Sequence, residues 1–190
     1  MLDTAAARRI RLLGLDVDGV LTDNAVFLGL VDGRRVEFKR FDIQDGLGVG
    51  IARKAGLEVV LISGRYSQAT TLRAAELQIE ELIQEPSARK LPVFADLLRR
   101  RGVGWDEVAF VGDDLADLPL LRRVGIPLAV ANAVEEVKRV AAYVTRAQGG
   151  AGAVREAIEV LLKARGAWEA GVRAYLEERG EYGASSDRAG

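Results

Sequence analysis

LLGLDVDGVLTD, residues 12–23, decides the fold of this chain. An apolar run ends directly in two aspartates at alternate positions, Asp16 and Asp18. Side chains alternate between faces along a strand, but the backbone turns as it leaves one, so both carboxylates converge at the strand's carboxyl end. Gly19 follows where a tight turn is useful. Open α/β sheets bind ligands beyond that edge, which places the two aspartates well for chemistry. Taken alone, the same four residues also describe two solvated turn aspartates.

Around this stretch, composition narrows the choices. A chain of 190 residues buries a substantial core as one domain. The formal net charge of -1 gives no large positive field, so no nucleic-acid partner is expected. The chain has no Cys and no His. Thiolate nucleophiles, disulfides, imidazole bases and the usual zinc or copper ligands are therefore excluded, and oxygen donors favour a hard cation such as Mg²⁺. The opening MLDTAAARRIR lacks the apolar core of a secretory signal. No apolar segment reaches the roughly 18 residues of a membrane span. A soluble, cytoplasmic protein without a membrane partner is the expectation.

Strands and helices alternate along the chain. Residues 11–15, 58–62, 79–83, 108–111, 126–130 and 143–144 read as strands. Helices are expected over 45–55, 68–75, 90–101, 115–122 and 135–142, with an amphipathic one marked by Ala153, Val154, Ala157, Ile158 and Leu161. Residues 25–30 and 34–41 flank Val31-Asp32-Gly33 and predict a β-hairpin with Gly33 in its turn. The predicted class is α/β: a Rossmann-like, mostly parallel sheet between helix layers, with the hairpin projecting from it. Residues 1–165 are expected to form one domain and 166–190 a helical or flexible tail. In that tail, Trp168, Val172 and Tyr175 read as packing or oligomer contacts, and residues 185–190 as mobile.

Four elements in order carry a family resemblance: Asp16-Val17-Asp18-Gly19, Ser63 after an apolar strand, Lys90 opening a helix, and GDDLAD at residues 112–117. Together they resemble the haloacid-dehalogenase-like phosphatase superfamily. The resemblance implies that Asp16 is a nucleophile forming an aspartyl-phosphate, and that Asp18 is the acid and then the base. It also implies Mg²⁺ held by Asp16, Asp113 and the backbone carbonyl of Asp18. Ser63 and the amide of Gly64 would donate to phosphoryl oxygens, and Lys90 would set positive charge against the anions. Asp114 and Asp117 would support the site, Asp117 by bonding the motif or orienting Lys90. The competing view of the acidic run is helix N-capping, and the two roles are compatible.

Longer segments narrow the resemblance: DVDGVLTDN at 16–24, FDIQDGLGV at 41–49, ISGR at 62–65, VGDDLADLPLL at 111–121 and YVTRAQGGAGAVREAIEVLL at 143–162. They are similar to the small 3-deoxy-D-manno-octulosonate 8-phosphate phosphatases over roughly residues 10–165. The likeness implies a capless core and a homotetramer whose hairpins, residues 25–41 here, help cover neighbouring active sites. It implies a sugar-acid phosphate as substrate, with Asp45, Gly46 and Arg65 on the substrate side and Arg155 in an ion pair either between subunits or just behind the site. An arginine fork matches a carboxylate. Two positions depart from the pattern: Asn24 replaces a glycine, and Glu85-Pro86 precedes Lys90 where relatives place a glycine. Asn tolerates a left-handed backbone, so that turn is expected to survive. A phosphatase for a nine-carbon 2-keto-sugar-acid 9-phosphate is the nearest alternative. A non-catalytic oligomeric module is the alternative of another class.

Overall fold

The computed structural model describes residues 2–180. Residues 185–190, read above as mobile, lie outside the described residues. Six parallel strands form one sheet: β1 (Leu12–Asp16), β4 (Glu58–Ser63), β5 (Glu81–Gln84), β6 (Val108–Gly112), β7 (Ile126–Ala129) and β8 (Tyr143–Val144). Their order is β5-β4-β1-β6-β7-β8, with β1 between β4 and β6. Helices cover both faces, so the central strands are apolar throughout rather than alternating, and all five residues of β1 and of β6 are buried. Beneath β6, Phe94 meets Phe110 edge-on with ring centres 5.8 Å apart.

Strands β2 (Phe27–Val31) and β3 (Arg34–Phe38) form the expected hairpin, apart from the main sheet. Asp32 and Gly33 both take positive φ, 51° and 72°, the two-residue turn whose twist suits paired strands. Phe27, Leu28, Leu30 and Phe38 are exposed along it. Asn24, just before the hairpin, has φ 67°, the left-handed backbone that asparagine tolerates.

The helices are α1 (Thr4–Arg9), α2 (Ile43–Lys54), α3 (Gln68–Glu76), α4 (Lys90–Arg101), α5 (Leu118–Leu121), α6 (Glu135–Lys138), α7 (Ala153–Arg165) and α8 (Trp168–Glu177). Helix α1 carries no long apolar stripe and was not expected; Asp3 starts it by accepting the amide of Ala6 at 2.9 Å. Helix α2 begins earlier than residue 45 because Asp42 caps it, accepting the amides of Gln44 at 2.7 Å and Asp45 at 3.1 Å. Over 115–122 one helix becomes two pieces, a 3₁₀ turn over Leu115–Asp117 and then α5. Asp114 caps the first piece, and Pro119 fits the first turn of the second. Helix α6 ends at Lys138, short of residue 142. In α8, Trp168, Val172 and Tyr175 pack half-buried against the core, as their spacing predicts.

Candidate active site

Parallel pairing of β1 with β6 sets Leu15 opposite Val111, so the residues that follow these strands emerge side by side. Asp16 ends β1 and Asp113 follows β6. From the start of α4, Lys90 reaches both Asp16 Oδ1, at 2.6 Å, and Asp117 Oδ1, at 2.7 Å. Asp117 Oδ2 accepts the amides of Asp113 at 3.0 Å and Asp114 at 3.4 Å. Asp117 thus binds the motif and orients the lysine at once. All four side chains of Asp16, Lys90, Asp113 and Asp117 are buried.

Gly19 makes this arrangement possible. Its φ of 93° suits glycine, and a Cβ there would overlap the carboxylate of Asp113. The loop over residues 17–21 is also tied from behind: Asn132 donates to the carbonyl of Gly19 at 3.0 Å and accepts the amide of Gly149 at 2.7 Å.

Three carboxylates and one ammonium share this buried space. Burial and the neighbouring Asp117 charge push the Asp16 carboxyl well above its ordinary value, against the opposing pull of Lys90. Burial and Asp117 likewise raise Asp113 to about 6. For Lys90, burial works against the charge, but Asp16 and Asp117 outweigh it and hold the ammonium above its usual range. One oxygen from each of Asp16, Asp113 and Asp117 lies within 4.8 Å of the others. Asp113 Oδ1 is buried without a hydrogen-bond partner. An all-oxygen donor set with excess negative charge and an unpartnered buried oxygen fits a hard divalent cation.

Asp18, at the mouth, is partly exposed. Its Oδ1 pairs with the Lys39 ammonium, and its Oδ2 lies 3.4 Å from Ser63 Oγ. Ser63, the last residue of β4, accepts the amide of Arg65 at 3.3 Å. Arg65 Nη2 meets Glu37 Oε2 at 2.7 Å, and its Nη1 is buried without a hydrogen bond, 4.0 Å from Asp18 Oδ1. Ser67 Oγ donates to the other oxygen of Glu37 at 2.6 Å. A cleft of 210 Å³ is lined by Asp16, Asp18, Asn24, Gly64, Arg65, Lys90, Asp113, Asp114, Ala116 and Asp117. Asp114 faces it while capping the next turn through the amide of Leu115 at 2.7 Å.

Two expected substrate-side residues lie elsewhere. Asp45 is fully buried, and its carboxylate accepts the amides of Arg155 at 2.7 Å and Gly152 at 3.3 Å. It caps the start of α7 because α2, begun at Ile43, turns position 45 toward that helix. Gly46 leaves room for the Arg73 guanidinium, which a Cβ would crowd at 2.5 Å. Arg155 sits over the Trp168 ring at 5.1 Å and pairs with Glu159 at 3.8 Å, both within the same chain. Sequence reasoning overlooked Glu37, Lys39, Thr70 and Asn132. Glu37 lies in β3 and Lys39 just after it, in a charge-rich segment whose sequence alone does not mark which side chains turn inward.

Residues 62–158 match the family model of the haloacid dehalogenase-like hydrolases. The chain is 44% identical over 162 residues to the 3-deoxy-D-manno-octulosonate 8-phosphate phosphatase of Escherichia coli K12, spanning 85% of this chain and 84% of that one. The phosphatase of the same description from Yersinia pestis is 38% identical over 159 residues, 84% of this chain and 83% of its own. A crystal structure of the Moraxella catarrhalis 3-deoxy-D-manno-octulosonate 8-phosphate phosphatase, in complex with magnesium ion, phosphate ion and a KDO molecule, superposes with a TM-score of 0.82. It is 35% identical and covers 90% of this chain and 97% of that one. With β1, Lys90 and the Asp113 loop placed as the motif order requires, the chain belongs to the haloacid dehalogenase-like hydrolases and is closely related to the 3-deoxy-D-manno-octulosonate 8-phosphate phosphatases.

Proposed function

We propose that this protein is a Mg²⁺-dependent phosphatase that hydrolyses 3-deoxy-D-manno-octulosonate 8-phosphate to the sugar acid and inorganic phosphate. The observation that carries this reading is the buried triangle of Asp16, Lys90 and Asp117 beside the unpartnered oxygen of Asp113. Close relatives described as phosphatases of that ester support the choice of substrate.

In the proposed reaction a carboxylate oxygen of Asp16 bonds to phosphorus as the ester P–O bond breaks. Asp18 gives its proton to the departing sugar oxygen. Asp18 then takes a proton from water, whose oxygen attacks the aspartyl-phosphate; phosphate leaves and Asp16 is restored. Lys90 holds positive charge beside Asp16 throughout and offsets the repulsion between two anions. Ser63 and the Gly64 amide orient phosphoryl oxygens, and the partly exposed Arg65 recognises the sugar-acid end. Asp16, Asp113 and the Asp18 carbonyl would hold Mg²⁺, which when bound supplies charge against the phosphoryl oxygens. Asp117 is left to Lys90 and the backbone, since both its oxygens are engaged.

The exposed apolar hairpin supports a homotetramer in which these strands meet and cover neighbouring sites. No helix among the described residues is long and apolar enough to cross a membrane. The deciding experiment measures phosphate release, with Mg²⁺, from matched eight-carbon and nine-carbon 2-keto-sugar-acid phosphates. Preference for the eight-carbon ester is expected. Preference for the nine-carbon ester would keep the mechanism and change the substrate, and no release from either would leave a binding module.

A further inference from the structure

Lys39 follows β3 at the root of the hairpin, and its side chain is fully shielded from solvent. The next residue, Arg40, points outward and is 60% exposed on its side chain. Burying an ammonium is unfavourable unless charged and polar partners surround it. Lys39 has three: Nζ donates to Asp18 Oδ1 and to Thr70 Oγ1 at 3.3 Å, and lies 4.0 Å from Glu37 Oε1. Thr70 is itself buried, on α3, whose first turn Ser67 caps. The lysine therefore joins the hairpin, α3 and the Asp18 carboxylate at one point. It lines the groove between hairpin and α3, not the cleft around Asp16.

We propose that Lys39 is the positioning residue for Asp18, fixing which carboxyl oxygen carries the transferred proton. An ammonium has three donors and no acceptor, so the oxygen it binds cannot present a proton toward it. Oδ1 is held by Lys39, and Oδ2, on the Ser63 side, is the oxygen that carries the proton. During ester cleavage the proton passes from Oδ2 to the departing alcohol oxygen as the P–O bond breaks. The carboxylate left behind stays paired with Lys39. This inference rests on Asp18 being the acid, and the test separates the two claims.

The measurement is kcat/KM, which reports phosphoryl transfer to Asp16 without the later hydrolysis step, for two esters. One is the sugar-acid phosphate, whose alkoxide needs a proton. The other is 2,4-dinitrophenyl phosphate, whose leaving group does not. Lys39→Met is expected to lose about 30-fold on the sugar ester and little on the dinitrophenyl ester, with Lys39→Arg recovering part of the loss. Asp18→Asn, the reference, is expected to show the same selectivity more strongly. Equal losses on both esters for Lys39→Met, with Asp18→Asn still selective, would overturn the role of Lys39 alone. Equal losses for Asp18→Asn would overturn Asp18 as the acid, and the proposal with it. Should Lys39→Met not fold, Thr70→Val removes a partner of Nζ and keeps the charge. A selective loss there supports the proposal, and an unselective loss or no loss overturns it.

Discussion

Lys90 Nζ lies 2.6 Å from Asp16 Oδ1, and both side chains are almost wholly excluded from water. A buried pair of this kind adds little net stability when whole but leaves an uncompensated charge when broken. Lys90→Met leaves Asp16, Asp113 and Asp117 facing one another. The expected result is a loss of about 3 kcal/mol in urea unfolding without Mg²⁺, by the cost of breaking such pairs. Phosphate release should fall about 100-fold or more, since preorganised charge is removed. Unchanged stability and turnover would contradict the placement of this lysine.

Asp16→Asn keeps the shape of the side chain and removes the proposed nucleophile. The variant should fold, by circular dichroism, and form no acid-trapped phosphoenzyme from labelled substrate. Undiminished hydrolysis by the folded variant would rule out Asp16 in that role.

Asp45 gives a pH dependence whose sign is opposite to that of a surface-paired carboxylate. Burial, with Asp42 nearby, raises its carboxyl from 3.8 to about 6, against the pull of the α7 amides. The folded state therefore holds this proton more tightly than the unfolded chain. Its contribution to stability is full below pH 3.8 and is lost as pH rises toward 6. The whole span is on the order of 3 kcal/mol. Asp45→Asn should flatten the stability profile over this range relative to the parent, measured by urea midpoints in EDTA. Asp16 and Asp113 remain in both proteins and cancel in the difference. Parallel profiles would show that Asp45 does not titrate there.

Leu30 is 76% exposed and Phe27 59%, both on the hairpin. Charging this surface with Leu30→Asp and Phe27→Asp should shift sedimentation from tetramer to monomer while the core stays folded. A parent protein that is already a monomer at working concentration would remove the proposed assembly.

The central strands were readable because β1, β4 and β6 are buried on both faces and so appear as apolar runs, with Asp16 and Ser63 ending the first two and Asp113 following the third. Lys90 and the Asp113 loop were readable from their order between such strands. Lys39 was not. In RRVEFKRF nothing local distinguishes Lys39 from Arg40, and only packing against α3 turns one inward. Asp45 was misplaced for a related reason: two aspartates, Asp42 and Asp45, compete to start α2. The choice of Asp42 as cap rotates Asp45 onto α7. Contacts between segments far apart in sequence decide both cases.

The loop after Asp16 is closed by residues made much later. Asn132 holds the Gly19 carbonyl, the Gly150 amide donates to the Val20 carbonyl at 3.1 Å, and Gly149 packs so closely on Gly19 that a Cβ would collide with its carbonyl. During synthesis the nucleophile segment leaves the ribosome early and waits, without its backing, until the GGAG stretch has also emerged. Long-range closure of this kind is slow and comes late. A nascent chain halted before residue 149 would carry every proposed catalytic side chain and still lack the Gly149 and Gly150 contacts that back the loop after Asp16.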